Sequence, residues 1–207
     1  MNSERELILS RVRAALAPLG RRAPLPDWGP GLLRRRDARP GADPWQLFSE
    51  RLRAVNGTPL AAPAELAALL AKNSWFYGYC DPQLWPLLAE SLPSPFCVET
   101  THSRDNLLRY DFGITAAFGA IAETGTLILT DRGTSSRLAA LAPWVHVAVL
   151  GRSTILPDIP AALEVQPPDP NIVWVTGPSK TADVEGIMIE GVHGPGVQVA
   201  LLRPGDS

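Results

Sequence analysis

Apolar residues recur every three or four positions in the first part of the chain, a spacing that predicts helices. The first predicted helix opens with the capping box Ser3-x-x-Glu6 and ends at Gly20. A second begins at Asp43-Pro44, where an N-cap residue precedes a proline at the first helical position. The two apolar stripes consist of Ile8, Val12, Ala15 and Leu19, and of Trp45, Phe48, Leu52 and Val55.

Beyond residue 60, short helical patterns alternate with runs of β-forming residues. The predicted helices are Pro63–Lys72, Asp81–Ser91, Ser135–Leu141 and Pro160–Glu164. The predicted strands are Ser74–Tyr79, Pro95–Glu99, Phe118–Ala122, Thr126–Thr130, Trp144–Leu150, Ile172–Thr176, Ile187–Glu190 and Val197–Leu202. This alternation predicts an α/β fold of three layers, with a largely parallel sheet, helices on both faces and a β-rich C-terminal part. We expect residues 1–43 to form an N-terminal helix and a Pro/Arg-rich linker, and residues 44–207 to form the α/β domain.

The composition fits one domain with an extension. The chain has 207 residues, and its hydrophobic share of 45% is enough for a core. Its net charge of -2 is unevenly spread, because residues 1–55 carry +5 and the remainder carries -7. The basic N-terminal segment is expected to dock onto the acidic domain or onto another subunit. A nucleic-acid partner is not expected, since the basic segment lacks a ladder of aromatic residues for base stacking.

The cysteine content and the hydropathy of the chain limit the possible classes of protein further. Cys80 and Cys97 are the two cysteines, both in apolar runs, so we expect two buried thiols and no iron–sulfur cluster held by this chain alone. The charged first 20 residues do not resemble a signal peptide, and no apolar run reaches 18 residues. A cytoplasmic protein without a membrane span is expected.

The segment Gly177–Glu185 carries the clearest candidate chemistry. It lies between two β-rich runs, and its pattern predicts a tight turn followed by one helical turn, whose free N–H groups would attract an anion. Candidate ligand-binding residues are Gly177, Ser179, Lys180 and Thr181, joined by His193 of the nearby Gly191–Pro195 turn. The alternative is that Ser179 or Thr181 only caps a short helix. A phosphate-binding P-loop is excluded because Ser179 and Trp174 occupy its glycine positions.

A second turn, Glu123-Thr124-Gly125, joins two predicted strands. Glu123 is a candidate general base or nucleophile; the alternative is a carboxylate that accepts hydrogen bonds within the turn. Thr124 and Gly125 are candidate ligand-binding residues beside it. Arg137 follows a flexible run and is a candidate clamp for a carboxylate or phosphate, or else a surface ion-pair partner.

The three histidines are scattered, so neither a metal site nor a bound cofactor is expected. His146 alternates within an apolar strand and is interpreted as a core residue with satisfied hydrogen bonds. His193 is expected to be exposed near a ligand, and His102 has no neighbour of interest. The tryptophans are interpreted as packing residues.

Several short motifs, in order along nearly the whole chain, resemble the LUD-domain family, specifically its lactate utilization protein C type. They are Ile8–Leu16, Gly113-Ile114-Thr115, Ala120–Leu127, Arg137-Leu138, Pro143–Val147, Gly177–Asp183 and Gly191–Pro195. The resemblance implies a fold similar to that of ribose-phosphate isomerases, glucosamine-phosphate deaminases and coenzyme A transferases.

The resemblance also implies a function. The chain would be one component of a three-part system that oxidises L-lactate to pyruvate, with partners that carry iron–sulfur clusters and cysteine-rich motifs. It would bind a small anionic ligand between the Glu123 turn and the Lys180 turn, without a redox centre of its own. Two alternatives remain open: a stand-alone enzyme acting on a sugar phosphate or an acyl-coenzyme A, and a non-catalytic adaptor subunit.

Overall fold

The structure is a computed structural model that describes residues 2–18, 43–133, 136–182 and 187–205. The chain divides into two compact units, of which the first contains one helix and the second contains every other described element. The predicted linker at residues 20–43 lies almost entirely outside the described residues. The division at residue 43 therefore stays a prediction.

The first unit contains α1 (Asn2–Leu16), as the sequence predicted. Its apolar residues Ile8 and Val12 are 61% and 48% exposed. The last residue of the predicted stripe, Leu19, and the side chain of the capping residue Ser3 lie outside the described residues.

A six-stranded parallel sheet forms the centre of the second unit. Its strands are β1 (Thr58–Leu60), β2 (Tyr77–Cys80), β3 (Cys97–Glu99), β4 (Phe112–Ala116), β7 (Val145–Leu150) and β12 (Val197–Leu202). Their order across the sheet is β1-β12-β7-β4-β2-β3, and every neighbouring pair is parallel. The predicted α/β fold with a largely parallel sheet is confirmed.

A second sheet and a hairpin complete the strands. The second sheet contains β5 (Gly119–Ile121), β6 (Thr126–Thr130), β8 (Ile155–Leu156) and β9 (Ile172–Val175), in the order β8-β5-β6-β9. The hairpin pairs β10 (Lys180–Ala182) with β11 (Met188–Glu190). The helical turn predicted at Lys180 is therefore wrong. Lys180 stands opposite Glu190 in the antiparallel pair, so the backbone there finds cross-strand partners and opposite charges face each other.

The helices of the second unit are short. They are α2 (Pro44–Ala54), α3 (Pro63–Lys72), α4 (Trp85–Leu88), α5 (Arg137–Leu141) and α6 (Ile159–Val165), with a 3-10 turn at Ala89–Ser91. The predicted N-cap of α2 is confirmed, since the Asp43 carboxylate accepts a hydrogen bond from the Trp45 N–H at 3.1 Å. Arg152 holds the same carboxylate with two contacts of 2.8 Å.

Successive side chains of the central strands point to opposite faces of the sheet, so the core consists of two halves. On one face, α3 and α4 pack Leu66, Leu70 and Leu88 against residues such as Phe112 and Val147. On the other face, α2, α5 and the second sheet cover the sheet; the buried residues there include Phe48, Leu52, Leu127, Ala148 and Ala200. Helices thus lie on both faces, as predicted. The sequence did not predict that four of the strands would form a second, separate sheet.

Two expectations about side chains need correction. Cys80 is buried, but Cys97 is exposed, because β3 is the edge strand of the central sheet. Trp144 is 47% exposed and does not belong to the core. In the described parts of the chain, every helix is too short or too polar to cross a bilayer.

Candidate functional site

Two adjoining clefts lie at the amino ends of β4, β7 and β12. The first cleft has a volume of about 250 Å³ and is lined by Ala140, Leu141, 174–179, 193–195 and Gln198. The second cleft has a volume of about 540 Å³ and is lined by 107–111, Leu141, Ala142, Trp144 and 191–194. Leu141, His193 and Gly194 line both, so the His193 turn separates the two clefts.

The position of these clefts follows from the connections between the sheets. Open α/β sheets usually bind ligands beyond the carboxyl ends of their strands. Here β4 continues from its carboxyl end into β5 of the second sheet, and β7 continues through a 3-10 turn at Arg152–Thr154 into β8. The Ala117 N–H, for example, donates to the Val149 carbonyl at 2.8 Å. The second sheet therefore occupies the usual edge, and the clefts are found at the opposite one.

Backbone hydrogen bonds join the two turns that form the first cleft. The Ser179 N–H donates to the Pro195 carbonyl, and the Gly191 N–H donates to the Ser179 carbonyl, both at 2.9 Å. At Gly177, with φ of +76°, an added Cβ would lie 2.3 Å from the Val55 carbonyl oxygen, so only glycine fits this turn. Gly194 lies against the other turn, since an added Cβ would be 3.1 Å from the Ser179 Cβ.

Three residues of the predicted site meet in the first cleft: Gly177, Ser179 and His193. His193 is exposed, as its position in a glycine-proline turn suggested. Thr176 also lines the cleft and was not singled out from the sequence. The chain thus brings hydroxyl groups and an imidazole together from segments about 15 residues apart.

Lys180 and Thr181 lie on β10, outside the lining of the first cleft. The Lys180 Nζ donates to the Val55 carbonyl at 3.3 Å and lies 3.5 Å from the Glu190 carboxylate. Val55 is the C-cap of α2, so the ammonium group sits at the negative end of that helix. The predicted role of Lys180 and Thr181 in anion binding stays a prediction, and Lys180 would have to release these contacts to take it up.

The turn with Glu123, Thr124 and Gly125 packs against α2. Gly125 has φ of +66°, and an added Cβ would lie 2.4 Å from the Leu52 nitrogen. The Glu123 N–H donates to the Pro157 carbonyl at 3.1 Å. This turn and Lys180 both contact α2, but neither Glu123 nor Lys180 lines the first cleft. The catalytic role of Glu123 stays a prediction.

A chain of hydroxyl groups connects the Glu123 turn with the first cleft. The Thr124 and Thr126 hydroxyl oxygens are 2.7 Å apart, and those of Thr126 and Thr176 are 2.8 Å apart. Because Thr176 lines the first cleft, these hydrogen bonds link the Glu123 turn to the segment that forms the cleft, although the two are about 50 residues apart in sequence.

Arg137 begins α5 and forms an ion pair with Asp131, with Nε 2.8 Å from the carboxylate oxygen. Its side chain is half exposed, at 51%. It lines a narrow depression beside Asn171 and not the first cleft. Its predicted role as a ligand clamp stays a prediction.

Gln198, which lines the first cleft, begins a buried chain of hydrogen bonds with His146 and Thr115. The sequence predicted only the burial of His146. His146 is 1% exposed; its Nε2 lies 2.9 Å from the Thr115 hydroxyl and its Nδ1 lies 2.9 Å from the Gln198 Oε1. Burial lowers the pKa of His146 to about 4, against smaller raising effects of Gln198 and the Asp81 charge. The predicted core histidine is confirmed. Gln198 was missed, although a glutamine in the apolar strand β12 was a visible signal.

A second polar cluster surrounds Glu99 at the edge of the central sheet. Its carboxylate accepts hydrogen bonds from the hydroxyl groups of Tyr77, at 2.5 Å, and Tyr110, and from the Asn106 amide at 2.9 Å. The hydrogen bonds from Tyr110 and Tyr77 lower the pKa of Glu99, and the bond to Glu99 raises the pKa of Tyr77 to about 12. His102, for which the sequence predicted no neighbour of interest, packs against Tyr110 with ring centroids 5.8 Å apart.

Within the described residues, no group of three or more His, Cys, Asp or Glu side chains is arranged to hold a metal ion.

Comparison with known proteins identifies the family. The lactate utilization protein C of Anoxybacillus flavithermus is 33% identical over 103 residues, or 47% of each chain. That of Exiguobacterium sp. is 37% identical over 101 residues, covering 45% of this chain and 44% of the relative. The matches therefore span less than half the length of these relatives.

A solved structure and a family model extend the match. The crystal structure of a DUF162 family protein from Deinococcus radiodurans has a TM-score of 0.54 and 26% sequence identity, covering 77% of this chain and 96% of that one. The model of the LUD domain matches residues 49–202, about three quarters of the chain. The chain therefore belongs to the LUD domain family.

Proposed function

We propose that this chain is a component of a lactate-utilization system and that it binds a small carboxylate in the first cleft. The observation that carries the proposal is the meeting of Gly177, Ser179 and His193 in one cleft. These residues come from two motifs by which the sequence resembles its family. The names of the relatives, lactate utilization protein C, support lactate or pyruvate as the ligand.

The volume of the first cleft supports a ligand of this size. Lactate has six non-hydrogen atoms, and a water molecule occupies about 30 Å³ of the liquid, so lactate requires less than roughly 180 Å³. The cleft offers about 250 Å³. An acyl-coenzyme A would have to extend into the second cleft, whose lining includes Arg109 and Asp111 beside Leu141, Trp144 and Val192.

The groups in the first cleft suit a carboxylate but predict modest affinity. The Ser179 hydroxyl and the His193 ring supply hydrogen-bond donors, and none of the described residues that line this cleft is a lysine or an arginine. Hydrogen bonds to a charged group contribute about 1.5–3 kcal/mol each. Two such bonds correspond to a dissociation constant on the order of 1 mM.

Electron transfer would depend on partner proteins. The chain has two cysteines, fewer than the four that hold a typical iron–sulfur cluster. We propose iron–sulfur and cysteine-rich lactate-utilization proteins as those partners, as the family resemblance implies. The chain would then bind or present the organic acid while its partners carry the electrons.

Calorimetric titration of the full chain tests the proposal. The ligands are L-lactate, pyruvate, ribose 5-phosphate and acetyl-coenzyme A. We expect the native chain to bind an organic acid, and Ser179→Ala and His193→Ala each to raise the Kd about tenfold, because each removes one donor. Lys180→Ala is the matched control outside the cleft and should change the Kd less than about twofold.

Each other outcome has a clear meaning. A large loss of affinity in Lys180→Ala would favour the anion site predicted from the sequence over the first cleft. Binding of ribose 5-phosphate or acetyl-coenzyme A in preference to the acids would favour a stand-alone enzyme. Absence of binding to all four ligands, together with co-purification of iron–sulfur partners, would favour the adaptor and overturn the proposal.

A further inference from the structure

We infer that the second cleft is a separate binding site for a planar heteroaromatic ring, the chemistry that a nucleobase and a flavin share, and that this ring stacks on Trp144. The inference goes beyond the proposed function, because it concerns the other cleft and a different class of ligand. The volume of the second cleft, about 540 Å³, lies within the roughly 300–1,000 Å³ that is typical of small-molecule sites.

The peptide backbone covers one face of the Trp144 indole. A Cβ added at Gly196 would lie 2.3, 2.4 and 2.7 Å from Cη2, Cζ2 and Cζ3, which are three consecutive atoms of the six-membered ring. An atom beyond the edge of the ring could come this near to at most two of them, so the added Cβ would stand over the ring face. Glycine at position 196 therefore allows the backbone to lie flat against the indole.

The indole itself requires the glycines beside it. Gly191 has φ of +80°, but the φ of Gly196 lies outside the left-handed region, so the backbone at Gly196 would accept other residues if the ring were absent. A Cβ added at Gly191 would also lie 2.4 Å from the Trp144 Cζ3. The two glycines thus hold the indole in one orientation, which reduces the ordering cost of binding a ligand against it.

The opposite face of the indole is open. Trp144 is 47% exposed, although Gly196 covers one of its faces. A planar ring that is covered on one face exposes mainly the other, and only accessible atoms line a cleft. The open face is therefore the part of Trp144 that lines the second cleft. A flat aromatic wall suits another planar ring, because stacking adds to the gain from apolar burial.

Backbone donors beside the indole favour a ring with nitrogen or oxygen atoms at its edge. Gly194 has no side chain, so the peptide backbone of the 191–194 turn forms part of the lining. Among the described residues, the N–H groups of Val192, His193 and Gly194 have no hydrogen-bond partner. They can donate to the acceptor atoms of a nucleobase or a flavin, which a hydrocarbon ring lacks.

Calorimetric titration of the full chain with adenosine 5′-monophosphate (AMP), flavin mononucleotide (FMN) and ribose 5-phosphate tests the inference. AMP and FMN carry the two kinds of ring, and ribose 5-phosphate is AMP without its base. We expect saturable binding of AMP or FMN, and binding of ribose 5-phosphate that is weaker by about tenfold or more, because stacking supplies much of the affinity.

Variants of the indole identify the place of binding. Trp144→Leu keeps an apolar side chain but removes the ring, so it should raise the Kd for the bound nucleotide about tenfold or more. Trp144→Phe keeps a smaller ring and should raise the Kd less. Leu163→Ala is the matched control, because it shortens an exposed apolar side chain outside the cleft, and it should bind as the native chain does.

A second measurement needs no variant. The NMR signal of the Trp144 indole N–H in the native chain should shift saturably with AMP or FMN, because a stacked ring alters the local magnetic field. The same signal should stay in place with ribose 5-phosphate. A signal that does not move with either nucleotide would overturn the inference even if Trp144→Leu failed to fold.

The outcomes also identify the ring. Tighter binding of AMP would assign the cleft to a nucleobase, and tighter binding of FMN would assign it to a flavin. Absence of binding of both, equal binding of AMP and ribose 5-phosphate, or an unchanged Kd in folded Trp144→Leu would overturn the inference. The proposed function is tested by L-lactate in the first cleft, so either idea can fail while the other stands.

Discussion

Acidification should destabilise the protein through His146 in particular. Burial, the largest cause, lowers the pKa of this ring in the folded chain from an ordinary value of 6.5 to about 4. Between these two values the unfolded chain binds a proton that the folded chain does not. The stability is therefore fully present above about pH 6.5 and is lost as the pH falls toward 4, at up to about 1.4 kcal/mol per pH unit.

From pH 7 to pH 5 the integrated loss is about 2 kcal/mol, with folded and unfolded pKa values of about 4 and 6.5. This is a substantial part of the 5–15 kcal/mol that typically stabilises a domain. Glu99 and Asp169 also have lowered pKa values, but their ordinary values of 4.5 and 3.8 place most of their effect below pH 5. His102 has a lowered pKa as well and contributes with the same sign.

Urea unfolding at pH 7, 6 and 5, with the native chain and His146→Asn, isolates the contribution of this one ring. Asparagine retains a donor for the Gln198 Oε1 but does not titrate. Because the other groups are common to both proteins, the native chain should lose about 2 kcal/mol more than the variant. His193→Asn, a change at an exposed histidine, should follow the native curve. Parallel losses in the native chain and in His146→Asn would refute the reasoning.

Three further predictions concern other parts of the fold. Gly125→Ala should lower the free energy of unfolding by about 3 kcal/mol, since its Cβ would meet the backbone of α2 at a positive φ, whereas Gly205→Ala, which has only the positive φ, should cost about 1 kcal/mol or less; equal losses in denaturant titrations would contradict the packing argument. Tyr77 should form its phenolate near pH 12, and Glu99→Gln should move this titration toward pH 10; an unchanged absorbance titration would show that the Glu99 hydrogen bond is not the cause. A thiol reagent should react rapidly with one of the two cysteines, and Cys97→Ser should abolish the rapid phase; rapid reaction in that variant would mean that the buried thiol is accessible.

Local sequence patterns predicted the parts of the structure that depend on near neighbours. The cap at Asp43 and the stripe with Phe48 and Leu52 involve residues within three turns of one helix. The burial of His146 follows from its place in a run of valines, which only a strand covered on both faces accommodates. In each case, the determining contacts lie within a few residues.

Distant contacts explain what the sequence did not predict. Lys180 and its neighbours resemble a helix start, but pairing with residues six to ten positions further along makes them a strand. The Lys180 ammonium group binds the end of a helix 125 residues earlier, which no local motif shows. Gln198 and Thr115 reach the same histidine from positions 52 and 31 residues away. Only the register of β4, β7 and β12 brings these three side chains together.

The central claim is that the first cleft is the ligand site. Titration of the isotope-labelled full chain with L-lactate, followed by NMR of the backbone amides, tests it most directly. The account predicts saturable shifts at Ser179, His193 and Gly194, which line the cleft, and little change at Glu123 and Arg137, which lie outside it. Shifts centred on Glu123 or Arg137, or no saturable shift anywhere, would contradict it.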